Sequence, residues 1–170
     1  RTEGAQGTAL GQSVYFACAD ALNNNHPVVL EVQDQYGNIS RCTTQVRALD
    51  LESPVITCPN GVETVTDPNL CSAIVAGIGL QYSHDNCTTT TTYSITGATT
   101  KTGTNNASGT VFNKGTSTVT YVVADQVGNS ATCSFDVEVE DKELPVINCG
   151  NITNITRSNV TGQCSYTVVG

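Results

Sequence analysis

Apolar and polar residues alternate with a period of two through much of the chain, the pattern of strands that bury one face. From Ser117 to Ala124, Val119, Tyr121 and Val123 share one face while Thr118 and Thr120 point the other way. Further on, Cys133, Phe135, Val137 and Val139 oppose Ser134, Asp136, Glu138 and Glu140. Between the two runs lies Asp125-Gln126-Val127-Gly128-Asn129, a loop whose Gly and Asn tolerate positive φ, so the pattern predicts an antiparallel hairpin. A second hairpin is predicted around Asp34 to Asn38, with Val28, Leu30 and Val32 before it and Cys42, Thr44 and Val46 after. No stretch carries a convincing helical stripe.

The two hairpins belong to one repeat. Asp34, Gly37, Asn38, Cys42, Val46, Asp50, Glu52, Pro54-Val55-Ile56 and Cys58 recur 91 residues later as Asp125, Gly128, Asn129, Cys133, Val137, Asp141, Glu143, Pro145-Val146-Ile147 and Cys149. Cys71 then finds Cys164 after a slip of two. A period near ninety suits immunoglobulin-like sandwiches of roughly 100 residues, whereas solenoid repeats are much shorter. The expected fold class is all-β, with tandem immunoglobulin-like β-sandwich modules.

Composition narrows the setting. Of 170 residues 13% are charged, against about 25% in ordinary soluble domains, and Thr, Ser, Asn and Gly fill the difference. A formal net charge of -8 repels phosphate backbones, which argues against nucleic acid as a partner. No run approaches the roughly 20 apolar residues needed to span a bilayer, so no membrane insertion is expected. Eight Cys are scattered singly without a C-x-x-C pair, which reads as a disulfide set and an extracellular or cell-surface compartment.

The order Asp50-x-Glu52-x-Pro54-Val55-Ile56-x-Cys58-Pro59, Cys71-Ser72-Ala73-Ile74-Val75, Asp85-Asn86-Cys87, Gly115 to Tyr121, Asp125-x-x-Gly128-Asn129 and Cys133-Ser134-Phe135-x-Val137 resembles a hyalin repeat, the HYR module. The resemblance divides the chain into residues 1–49, the closing part of a related module, 50–140, a complete HYR module, and 141–170, the opening strands of another. It implies sandwiches in tandem within extracellular adhesion proteins, including large surface adhesins of Bacteroidota, whose style the Thr- and Asn-rich composition resembles. Junctions at Leu49 to Pro54 and Glu140 to Pro145 are expected to be short, with Pro limiting slack and modules held end to end. The partial modules at either end are expected to be completed by further chain, or by strand addition from neighbouring copies.

Eight Cys allow 105 pairings. If each module carries its own staples, the pairs are Cys18 with Cys42, Cys58 with Cys71, Cys87 with Cys133 and Cys149 with Cys164. Each bridge would contribute about 3 to 4 kcal/mol in the chain-entropy model, which matters in a chain with 5% aromatic residues.

No catalytic constellation stands out, and no enzyme is expected. His84-Asp85-Asn86-Cys87 sets a base near a thiol, but neighbours on an extended segment face opposite ways and a half-cystine has no thiolate. His26, in an Asn-rich turn before Pro27, is expected to be solvated. Carboxylates near the junctions are the better chemical candidates: Asp34, Asp50 and Glu52 at one, Asp125, Asp141 and Glu143 at the matching places of the next. Calcium takes six to eight oxygen ligands and would stiffen a string of modules. The simpler reading is that Asp34 and Asp125 cap their own loops, since no Asp-x-Asp-x-Asp-Gly loop is present. No other cofactor is indicated.

Glycosylation sequons stand at Asn38, Asn86, Asn106, Asn151, Asn154 and Asn159, a number that abundant Asn and Thr inflate. The function expected is a structural or adhesive stalk segment, partnered by neighbouring modules and by other copies in a fibre. The alternative is a carbohydrate- or protein-binding module, or an appendage of a secreted hydrolase, using Thr88 to Thr92 or Gly97 to Ser108 as recognition loops and Tyr82 and Tyr93 as sugar platforms.

Overall fold

The structure is a computed structural model; it describes residues 2–3, 13–22 and 25–145. Strand β1 (Thr2–Glu3) pairs with β2 (His26–Gln33), which forms the first predicted hairpin with β3 (Ile39–Val46). Ahead of β2 comes a single helical turn, α1 (Cys18–Leu22). Asp20 Oδ2 accepts the Ala17 N–H at 2.7 Å, tying off one of the free donors that a helix start leaves. Five residues are too few to write a periodic stripe, so alternation could not reveal this turn.

Residues 55–140 form the sandwich. One layer is a five-stranded sheet of β5 (Val62–Val65), β12 (Ser130–Glu140), β11 (Gly115–Asp125), β8 (Thr89–Gly97) and β9 (Lys101–Thr104), in that order. Its β5 edge runs parallel to β12, and the other pairings are antiparallel. Two strand pairs complete the fold: β6 (Ser72–Val75) with β10 (Thr110–Asn113), and β4 (Val55–Thr57) with β7 (Tyr82–His84).

The predicted parity holds along β11 and β12. Val119, Tyr121, Val123, Phe135, Val137 and Val139 are buried, whereas Asp136 and Glu138 are exposed and Thr118 and Thr120 half-buried. Ala73, Val75 and Phe112 of the β6–β10 pair meet Val119, Tyr121, Phe135, Val137 and Val139 in one core. Tyr121 anchors it. Its hydroxyl donates to the Ile78 carbonyl at 2.9 Å and accepts the Ala107 N–H at 2.8 Å, which satisfies a phenol that burial would otherwise strand. Burial pushes its pKa up, and the Ala107 bond acts in the opposite direction. Opposite Tyr93 on β9 stands Gly103, where an added Cβ would lie 2.6 Å from the Tyr93 ring; only a bare backbone lets that ring lie across the strand.

Several expectations are corrected. Thr89–Gly97 and Lys101–Thr104 are paired strands of the sheet, so Thr88 to Thr92 and Gly97 to Ser108 are not free recognition loops. Runs of Thr are good strand formers, although their polarity resembles that of a loop. Tyr93 belongs to the core, leaving Tyr82 exposed. His26 is buried: Nε2 donates to the Asp20 carbonyl at 2.6 Å, and its ring lies 5.5 Å from that of Phe16.

The disulfides join Cys18 to Cys87 and Cys58 to Cys133, while Cys42 and Cys71 carry exposed free thiols. None of the expected pairs Cys18–Cys42, Cys58–Cys71 or Cys87–Cys133 forms. Strand β5 explains the second failure, because it runs parallel to β12 and carries the chain away from Cys58, beside Cys133, toward Glu140. Cys71 therefore lines a cleft with Asp141 and Glu143, and Cys133 to Asp141 is roughly 25 Å of extended strand. The third fails because Cys87 precedes Thr89, which pairs with Asp125 at the end of the sheet, while Cys133 pairs with Tyr121 further in. Cys42 sits opposite Leu30 on an exposed stretch of β3, leaving Cys18 to reach the next module. Cys149 and Cys164 lie outside the described residues.

Candidate functional site

The most organised polar cluster lies where residues 13–50 meet the sandwich. It is built on the β11–β12 loop. Asp125 Oδ1 accepts the backbone N–H groups of Val127, Gly128 and Asn129 at 2.9, 2.7 and 2.8 Å, and Oδ2 accepts Asn129 Nδ2 at 2.7 Å. Gly128 supplies the positive φ that the turn needs, at 103°. Asn129 serves through its side chain instead. Burial raises the Asp125 pKa, yet the Asn129 amide and the backbone N–H groups of Gly128, Asn129 and Val127 outweigh it, and the carboxyl is held below its ordinary value.

Asn129 Nδ2 reaches further, to the Asp50 carbonyl at 3.2 Å, so the loop clasps the incoming linker. Asp50 Oδ1 accepts the Glu52 N–H at 3.1 Å and Asn86 Nδ2 at 3.3 Å. Its Oδ2 lies 2.7 Å from Cys87 Sγ, a sulfur that carries no proton because it is bonded to Cys18. Asp85 Oδ2 accepts the Cys87 N–H at 3.1 Å. Asp85 Oδ1 is buried with no hydrogen-bond partner. One carboxylate oxygen each from Asp50, Asp85 and Asp125 gather within 4.8 Å of one another. Beside them a cleft of about 530 Å³ is lined by Phe16, Cys18, Leu49, Asn86 and Cys87 among others.

The predicted carboxylates thus sort differently from expectation. Asp50 and Asp125 come together, although the repeat had set them at successive junctions. Asp34 caps its own exposed loop, accepting the N–H groups of Tyr36 and Asn38 and the Asn38 amide; that amide is the main cause of its lowered pKa. Glu52 is exposed and joins no cluster of acidic ligands among the described residues. At the other junction Asp141 pairs with Lys114 at 3.4 Å and accepts the Glu143 N–H, while Glu143 Oε2 accepts the Asn69 N–H at 2.8 Å. Asp85, weighed from sequence only beside His84, is the residue that reading missed: an Asp two before a half-cystine carries no metal-ligand spacing of its own. His84 itself is exposed and stacks on Tyr82, with ring centroids 6.3 Å apart.

The sequon residues Asn38, Asn86 and Asn106 are exposed. The amides of Asn38 and Asn86 are engaged by Asp34 and Asp50, and Asn106 Oδ1 accepts the Ser108 N–H. Asn151, Asn154 and Asn159 lie outside the described residues. Among the described residues no helix is long and apolar enough to cross a membrane.

Residues 49–139 match the family model of the HYR domain. The chain belongs to the HYR-domain family. Hyalin of Strongylocentrotus purpuratus is 35% identical over 129 residues, covering 74% of this chain and 10% of hyalin. The chain therefore spans about a tenth of that curated relative. The HYR match takes in the sandwich up to Val139 together with Asp50, Asp85 and Asp125, and it leaves Cys18, which staples the preceding segment to the module, on the outside.

Proposed function

We propose that the chain is a load-bearing spacer from an extracellular adhesion protein, in which HYR modules follow one another along a secreted or cell-surface stalk. HYR membership, the relationship to hyalin and the disulfides, which persist in oxidising compartments, support the extracellular setting. The stalk role rests chiefly on one observation, the overlap of the two bridges. Cys18–Cys87 and Cys58–Cys133 span 69 and 75 residues and interlock between Cys58 and Cys87. Tension entering at Cys18 crosses to Cys87, follows the chain back to Cys58 and crosses to Cys133. Only that shared stretch is free to lengthen even when the module is fully unfolded, while the longer branch from Cys87 to Cys133 stays slack. At about 3.5 Å per residue it extends to about 100 Å, against about 400 Å for the whole stretch from Cys18 to Cys133 once both bridges are reduced.

Single-molecule pulling on the oxidised chain tests this directly. The expected extension between those points is about 100 Å, rising to about 400 Å with reductant. Full extension without reductant would overturn the load-bearing reading.

A further inference from the structure

The junction holds an electrostatic problem that its own side chains leave unsolved. Three carboxylates present oxygens within 4.8 Å of one another, and Asp125 is 8% exposed. Among the described ion pairs none involves Asp50, Asp85 or Asp125. Hydrogen bonds account for only part of the set. Asp125 is fully engaged in its loop, but Asp85 Oδ1 is buried without a donor, and Asp50 Oδ2 faces a disulfide sulfur that has no proton to give. A buried carboxylate oxygen without a donor, as Asp85 Oδ1 is, is rare because losing water without a substitute is costly.

We propose that Asp50, Asp85 and Asp125 bind one calcium ion, which locks the linker and the Cys18–Cys87 staple onto the β11–β12 loop. The chemistry selects the metal. All available donors are oxygens, since both neighbouring sulfurs are oxidised, so a thiolate-seeking ion such as zinc lacks ligands. Calcium bonds oxygen at 2.3 to 2.6 Å, so ligands on opposite sides of it stand up to about 5 Å apart, the spread available here. Magnesium needs a tighter octahedron at about 2.1 Å. Three protein carboxylates leave the remaining positions to water, as in extracellular modules of modest affinity, with Kd about 10⁻⁴ to 10⁻³ M. Because the ligands come from the linker (Asp50), the segment leading to Cys87 (Asp85) and the hairpin loop (Asp125), the ion would fasten the linker, which otherwise meets the other two through the Asn86 and Asn129 amides. The site stands apart from the load-bearing reading, and its test reads calcium rather than extension.

The test uses the oxidised 170-residue chain, stripped with chelator and titrated with calcium chloride by calorimetry, with thermal melting in parallel. One ion per chain is expected, with a calcium-dependent rise in Tm and at least a tenfold weaker response to magnesium. Asp85→Asn and Asp50→Asn keep the side-chain shape and are each expected to weaken binding at least tenfold. Asp141→Asn, at the repeat position equivalent to Asp50, is expected to bind as the parent does. Asp125→Asn is avoided because it would also disturb the loop. No heat and no Tm change up to about 10 mM calcium would overturn the proposal. So would binding that survives Asp85→Asn, equal response to magnesium, or loss in Asp141→Asn. An Asp85→Asn variant that folds, shows its own Tm and has lost the calcium response separates ligand loss from misfolding.

Discussion

The hairpins β2–β3 and β11–β12 carry the same pattern and lead different lives. Leu30 and Val32 stand where the repeat puts Tyr121 and Val123, yet they are 47% and 61% exposed, whereas both later residues are wholly buried. In both loops an Asp carboxylate accepts the backbone N–H and the side-chain amide of an Asn four residues further on. Among the described residues Asp34 serves only its own turn, while Asn129 also holds the Asp50 carbonyl and Asp125 stands beside Asp50 and Asp85. Alternation decides which face of a hairpin is apolar; what covers that face, and what the loop grips, is decided by elements far away in the chain.

The sharpest way to break this contrast is to truncate matched positions. Tyr121→Ala removes the core's anchor and strands the Ala107 N–H and the Ile78 carbonyl, for an expected loss of about 5 kcal/mol. Leu30→Ala is expected to cost about 1 kcal/mol or less, given its exposure. Urea denaturation of both variants checks the difference, and equal losses would remove the distinction between the hairpins.

Next in size are the cysteines at equivalent places, Cys133 and Cys42. Replacing Cys58 and Cys133 together by Ala opens a bridge of 75 residues, with an expected loss of about 4 kcal/mol in the chain-entropy model. Cys42→Ala, at an exposed free thiol, is expected to change stability by about 0.5 kcal/mol at most. Melting under non-reducing conditions reads both.

How much of this was legible beforehand follows from the same contrast. The parity of β11 and β12, both hairpins and the burial of Phe135 and Val137 could be read because they depend on neighbours two residues apart. The bridges could not. Pairing Cys58 with Cys71 assumed that nearby sequence means nearby space, and β5 breaks that assumption by crossing to the far sheet and running parallel to β12. The cluster at the junction was half legible. Asp50 and Asp125 drew notice as acidic residues near boundaries, but the repeat placed them at separate junctions, and nothing local marked Asp85. The burial of His26 could not be read either, because its contact with Phe16 and its bond to Asp20 depend on a helical turn too short to show a period.

A smaller effect sharpens the comparison of the loops. Both Asp34 and Asp125 have lowered pKa values. A carboxyl depressed on folding adds stability that is present above its unfolded pKa, near 3.8, and is lost as pH falls through the lower folded value. Protection of the Tyr36, Asn38, Val127, Gly128 and Asn129 amides, taken relative to the intrinsic exchange rate at each pH, is therefore expected to hold down to the ordinary carboxylate range and to fall below it. At the Asp125 loop, loosening is expected to release the linker at Asp50 as well, so Glu52, whose N–H bonds Asp50, reports with it. Exchange at Glu52 that is indifferent to that transition would mean that the loop does not hold the linker.

The central claim is that this module is tied by long bridges, one across its two layers and one back to the segment before it. Peptide mapping of the oxidised, non-reduced chain by mass spectrometry, with free thiols alkylated before digestion, tests it most directly. The expected products are linked peptides carrying Cys18 with Cys87 and Cys58 with Cys133, with Cys42 and Cys71 alkylated. Linked peptides carrying Cys18 with Cys42, Cys58 with Cys71 or Cys87 with Cys133 would contradict it.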